Sequence, residues 1–144
     1  MSYDIYIGEC IVSDYVGEGE LRATVAACAE KDAPTFVGDE MTRNENHRHP
    51  GYSQWSGWCE AVGLTSLFFG DEEGLMRRHP GTFALEKDHL VTVSDALTSW
   101  KQEHPDSVPG FGVGQDPCLA RLVWLEYWMR RAIERCRLPA IHNR

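Results

Sequence analysis

The chain is 144 residues long, 42% apolar and 25% charged, with a formal net charge of −8. That length suits one domain, residues 1–144, able to bury a core without disulfide or metal staples, and that composition argues against extensive disorder. The acidic balance argues against nonspecific binding to nucleic acid, which rests on neutralising phosphates.

The charge is uneven. Residues 1–40 hold nine acids and two bases, residues 41–120 eleven and six, and residues 121–144 two and six, so only the C-terminal end is basic. No apolar run approaches the length that spans a bilayer. The chain does not open on a basic region followed by an apolar segment, so no signal peptide is read and the cytoplasm is the expected compartment. Cys10, Cys28, Cys59, Cys118 and Cys136 are odd in number and include no Cys-x-x-Cys pair. They read as reduced, small apolar residues rather than a disulfide framework or zinc ribbon.

In chain order, alternation predicts a strand over 3–12, with Ile5 and Ile7 on one face and Asp4 and Tyr6 on the other. A turn at Gly17-Glu18-Gly19 and renewed alternation from Leu21 to Cys28 predict a returning strand and an antiparallel hairpin. A helix over 20–30 competes, because Ala23, Ala26, Ala27 and Ala29 are good helix formers. Thr35-Phe36-Val37 reads as a short third strand. Gly38 to Gly51 is then a long polar connection, of the kind that either has a function or is pinned by its own side chains. Ser53 is placed as N-cap of a helix that carries Trp55, Trp58, Cys59 and Val62 on one face and stops at Gly63.

Leu64 to Phe69 is short and apolar, and Asp71-Glu72-Glu73 after it reads as a solvated turn. His49-Pro50-Gly51 and His79-Pro80-Gly81 each read as a turn, proline fixing one torsion and glycine permitting the next. Leu90, Val93, Leu97 and Trp100 mark a helix over 86–103 that ends at His104-Pro105. The glycines of Gly110-Phe111-Gly112-Val113-Gly114 follow no strand and fail the context of a dinucleotide fingerprint. Asp116 as N-cap and Pro117 at the first helical position open the last helix, read to about Arg137. Leu122, Leu125, Met129, Ala132, Ile133 and Cys136 make its apolar stripe; Glu126, Arg130 and Glu134 make a solvated ladder; Arg121, Trp124, Trp128, Arg131 and Arg135 make a third stripe.

Two regions offer ligand chemistry. In the polar connection, Arg43, Asn44, Asn46, Arg48 and Tyr52 converge on a ligand beside Trp55, or else their side chains satisfy the loop's own backbone. On the last helix, Trp124 and Trp128 stack on planar groups while Arg131 grips an anion. The competing arrangement buries both tryptophans and pairs the arginines with the acidic N-terminal half. His47-x-His49 puts two imidazoles on one face of an extended segment, with Asp39, Glu40, His79 or Cys59 as further ligands. None of these has a recognised spacing, so neither a metal nor another cofactor is expected.

Asp32-Ala33-Pro34-x-Phe36, Met41-Thr42-x-Asn44-x-Asn46-x-Arg48, Tyr52-Ser53-x-Trp55 and Gly74-Leu75-Met76-x-x-His79-Pro80-Gly81 together resemble a family of short, uncharacterised proteins of bacteria and their phages. The likeness covers most of the chain, with the 105–116 loop shorter here. It carries over no activity and no catalytic residue, and implies only a context in which small phage-borne proteins bind a host component.

The fold expected is α+β: a small antiparallel sheet of two or three strands packed against three main helices. The function expected is a binding protein that engages a host protein or sequesters a small anionic ligand through the 39–55 loop and the Trp124/Trp128 face. The alternative is a small hydrolase or transferase with a site among Arg43, Asn44, Asn46, His47, Arg48 and His49, which requires a histidine within hydrogen-bonding reach of a nucleophile, a metal or a carboxylate inside a pocket. A third reading is a homodimer subunit that uses the tryptophan-rich face.

Overall fold

The computed structural model describes residues 1–15, 21–39 and 41–144. The expected turn at Gly17-Glu18-Gly19 and the candidate ligand Glu40 lie outside the described residues. The elements are β1 (Ile5–Tyr15), β2 (Leu21–Val25), β3 (His47–Arg48), α1 (Tyr52–Val62), α2 (Thr65–Phe69), β4 (Gly81–Ala84), α3 (Lys87–Glu103), α4 (Pro117–Arg135) and β5 (Pro139–Asn143).

β1 and β2 pair antiparallel as expected, from Cys10 opposite Val25 to Val12 opposite Ala23, but β1 extends to Tyr15 rather than to residue 12 and β2 ends at Val25 rather than at Cys28. Helix-forming alanines therefore yield to pairing with β1 over 21–25, because tertiary hydrogen bonds outweigh a propensity worth tenths of a kcal/mol per residue. Three further strands enlarge the sheet beyond the two or three expected. β5 pairs antiparallel with both β1 and β4, and the two-residue β3 joins β1 at Ile5 and Tyr6. The order is β2-β1-β5-β4, with β3 also on β1. Thr35-Phe36-Val37 forms no strand: Phe36 takes part in a turn and the Val37 carbonyl accepts from the Phe111 N–H. The sheet also curls, since the Thr82 hydroxyl of β4 donates to the Ala23 carbonyl of β2 although these strands end opposite sides of the order.

There are four helices among the described residues rather than three, the extra one being the five-residue α2. α1 stops where expected, at Gly63, whose φ of 76° is open to glycine at little cost. Its start differs. Gly51, not Ser53, is the N-cap and offers no side-chain bond; Gly51 is bridged to Ser2 and the Tyr52 N–H donates to the Met1 carbonyl. The Met1 carbonyl thus satisfies the first N–H of α1, a group that a capping side chain, which accepts from the second or third, leaves free. Glu86 and His89 cap α3 reciprocally. Asp116 caps α4 by accepting from the Leu119 N–H and also accepts from the Trp100 indole, joining α3 to α4. Burial alone would raise the Asp116 carboxyl; the hydrogen bonds from Trp100 and Leu119 hold it below its ordinary value.

One core joins Ile5, Ile7 and Ile141 of the sheet to Trp55, Trp58 and Cys59 of α1, Val93 of α3, and Leu122, Leu125, Trp128 and Met129 of α4. α4 is covered on more than its apolar stripe. Glu126, placed on a solvated ladder by periodicity, is 7% exposed and pairs with Arg130.

Candidate functional site

The last residues of β5 lie between β1 and β4, so Asn143 is opposite Ile5 on one side and Gly81 on the other. Its side chain is fully buried and its amide N–H groups donate to the carbonyls of Arg78 and Gly81. That orientation turns Oδ1 toward His79 Nδ1, 2.7 Å away. An amide oxygen only accepts, so Nδ1 carries the imidazole proton and Nε2 presents a lone pair. Nε2 lies 2.8 Å from the Tyr52 hydroxyl, which therefore donates to it. The result is a hydroxyl, a base and an orienting amide in one line, the arrangement by which a weak nucleophile is activated.

Each member is positioned by a different element. Tyr52 is the first residue of α1 and His79 precedes β4. Tyr3 walls the site, its ring 4.5 Å from Tyr52 and edge-on to His79 at 4.8 Å. Burial, with the Tyr52 and Cys59 groups close by, pushes the Tyr3 phenol above its ordinary value, so it stays a neutral donor. Burial likewise pushes the Cys59 thiol up to about 12, which removes the thiolate a Cys–His pair would need.

The polar connection does not converge as a set. Asn46 is fully buried and its side chain accepts from the Cys28 N–H and donates to the carbonyls of Ile7 and Ala26, stitching β3 to β1 and to the segment after β2. Arg48 points inward onto Asp39, with Nη2 2.7 Å from Oδ2 and side chains 1% and 4% exposed. Trp124 and Phe111 lie 5.0 and 5.8 Å from its guanidinium carbon. Arg43 is exposed and Asn44 half-buried. Of the five loop residues named from sequence, Tyr52 alone reaches the hydroxyl–imidazole line. Within the loop the Asp39 carboxylate accepts from the Met41 N–H and the Thr42 hydroxyl donates to the Glu45 carbonyl, so its own side chains hold part of its backbone, while Asn46 ties it to other segments.

The tryptophans are core. Trp55, Trp124 and Trp128 are 1%, 1% and 0% exposed, so none presents a stacking face. The Trp124 indole donates to the Glu45 carbonyl, fastening the polar loop onto α4. Arg131 and Arg135 both bind Glu30 in the acidic N-terminal half, and Arg131 also lies over Trp128. The aromatic half of a binding surface for a host protein or anion is thus absent from this helix face.

His79 was read in sequence as a turn residue and as one possible further metal ligand, not as a base beside Tyr52, and Asn143 carried no signal. A cleft of about 700 Å³ lies elsewhere, between Gly63 and Thr92, and includes none of the three. Glu72, Glu73, Glu86 and Asp88 line it, which does not suit an anion. Among the described residues no helix is long and apolar enough to cross a membrane. No protein-family model matches the chain, and neither a curated protein nor a solved structure is similar to it.

Proposed function

We propose that the protein is a small hydrolase or transferase in which Tyr52 is the nucleophile, His79 its general base and Asn143 the residue that positions the imidazole. The observation that carries this is the continuous hydrogen-bond line from the Tyr52 hydroxyl through both nitrogens of His79 to a fully buried, doubly anchored amide. The substrate class is an ester or phosphoester. Tyr52 Oη attacks the electrophilic centre as its proton passes to His79 Nε2; the imidazolium then protonates the leaving oxygen, and water or an acceptor alcohol releases the tyrosyl intermediate. The first turn of α1, which Tyr52 opens, leaves the Ser53 and Gln54 N–H groups without intrahelical acceptors.

The test uses an aryl sulfonyl fluoride, whose sulfur a tyrosine oxygen attacks with loss of fluoride. Peptide mass spectrometry of the full-length chain is expected to find the adduct on Tyr52 ahead of Tyr3, Tyr6 and Tyr127. In His79→Gln the Tyr52 rate should fall by about 10²-fold, the low end for a general base. Turnover of a p-nitrophenyl ester and phosphodiester panel should vanish in Tyr52→Phe. Equal labelling of all tyrosines, or an unchanged rate in His79→Gln, overturns the assignment.

A further inference from the structure

On the face of the sheet away from the core, Asp4, His47 and His49 bring one carboxylate oxygen and two imidazole nitrogens within 4.8 Å of one another. We propose that they form a site for a divalent first-row transition cation. Imidazole-rich donor sets select such ions over magnesium and calcium, which favour oxygen ligands. Two protein nitrogens and one carboxylate also leave a coordination position open, as in catalytic zinc sites.

The cluster is built rather than incidental. His47 Nε2 lies 3.1 Å from Asp4 Oδ1. A tetrahedral zinc with ligand bonds of about 2.0–2.2 Å holds its donors about 3.3–3.5 Å apart, so two of the three ligands stand within a few tenths of an ångström of that spacing. His49 is exposed and closes the remaining gap, roughly 1.5 Å at most, by rotation of its side chain. The His47 ring is fixed by stacking on Tyr6, with centroids 4.1 Å apart and planes 4° from parallel. Backbone on every side is held: Ile5 and Tyr6 pair with Arg48 and His47, Asp4 exchanges hydrogen bonds with Arg144, and the Tyr3 N–H donates to the Pro50 carbonyl. The buried Arg48–Asp39 pair between the two histidines pins the alternation that turns both imidazoles outward. The His47-x-His49 spacing was legible in the sequence, but its third ligand was not, since Asp4 arrives from β1's flank rather than from Asp39, His79 or Cys59. This site shares no residue with the Tyr52–His79–Asn143 line.

The test is equilibrium binding of Zn²⁺ to the chelator-treated full-length chain, by competition with a chromophoric chelator, with Co²⁺ absorption reporting coordination. One equivalent is expected to bind. His49→Ala is the decisive variant because His49 is exposed and its loss leaves the fold intact; it should weaken binding by more than the ~10–100-fold that losing an outer-shell partner costs. Asp4→Asn should weaken it similarly, His47→Ala/His49→Ala should abolish it, and His79→Gln should leave it unchanged. Equal affinity in His49→Ala and the parent chain, or no stoichiometric Zn²⁺, overturns the site. Neither result bears on Tyr52 labelling.

Discussion

Removing the Asp39 carboxylate is expected to destabilise the protein by about 3–5 kcal/mol, the range for breaking a buried ion pair by deleting one partner. The magnitude follows from what Asp39→Ala leaves behind. Arg48 stays 1% exposed, facing Trp124 and Phe111 rather than water, with Arg121 near enough to disfavour its charge further. The Met41 N–H also loses its acceptor on Asp39. A single domain holds only about 5–15 kcal/mol in total, so the variant should unfold at a much lower urea concentration. The double variant Asp39→Ala/Arg48→Met discriminates charge from packing. Methionine retains much of the apolar stem on Trp124, and swapping a buried pair for apolar groups is often near neutral. The double variant should therefore be more stable than Asp39→Ala alone, by about 2–4 kcal/mol on the same reasoning. Urea titration followed by tryptophan fluorescence measures both. A loss below about 1 kcal/mol in Asp39→Ala, the range of exposed pairs, would show that water reaches Arg48 and that the loops at 39–51 and 105–116 do not seal it.

Asn46→Ala should cost about 3 kcal/mol by urea titration, since it strands the buried Ile7 carbonyl, worth ~1–3 kcal/mol without a partner, and removes the acceptor of the half-buried Cys28 N–H and the donor to Ala26. Native chain treated with iodoacetamide at pH 8 should leave Cys59 unmodified until urea unfolds it, because its thiol is buried and titrates near 12. Burial, then Arg144, lowers the His142 imidazole below its ordinary value. Between the folded and unfolded values the unfolded chain binds more protons, so stability is greatest above about pH 6.5 and falls as pH drops below it. Comparing melting temperatures across that range, His142→Gln should flatten the decline; an unchanged slope would assign it to other groups.

Three of the four helices among the described residues were legible because each carries its own punctuation, whereas the five-residue α2 was not. Gly63 stops α1, Asp116 and Pro117 open α4, and Leu90, Val93, Leu97 and Trp100 keep a 3.6-residue period through α3. β1 and β2 were legible from alternation, of Ile5 and Ile7 with Asp4 and Tyr6 in the first and of Leu21, Ala23 and Val25 with Arg22 and Thr24 in the second. β4 and β5 were not. At four and five residues, Gly81–Ala84 and Pro139–Asn143 are too short to establish a period, and they are strands only because β1 lies beside β5 and β5 beside β4.

That difference decided the candidate site. Local sequence placed His79 in a turn and His47 and His49 on one face of an extended segment, but it placed the start of α1 at Ser53, and only contacts with Met1 and Ser2 made Tyr52 its first residue. Only the insertion of the chain's last strand between β1 and β4 brought Asn143 to His79, and only the packing of β1 beside β3 brought Asp4 to His47. The same holds for Trp124 and Trp128: periodicity put them on one side of α4, but whether that side meets water depended on the 28–46 segment folding over it. Periodicity records the geometry of one element, whereas burial and proximity belong to pairs of elements. Groups distant in sequence meet only when the whole chain has closed.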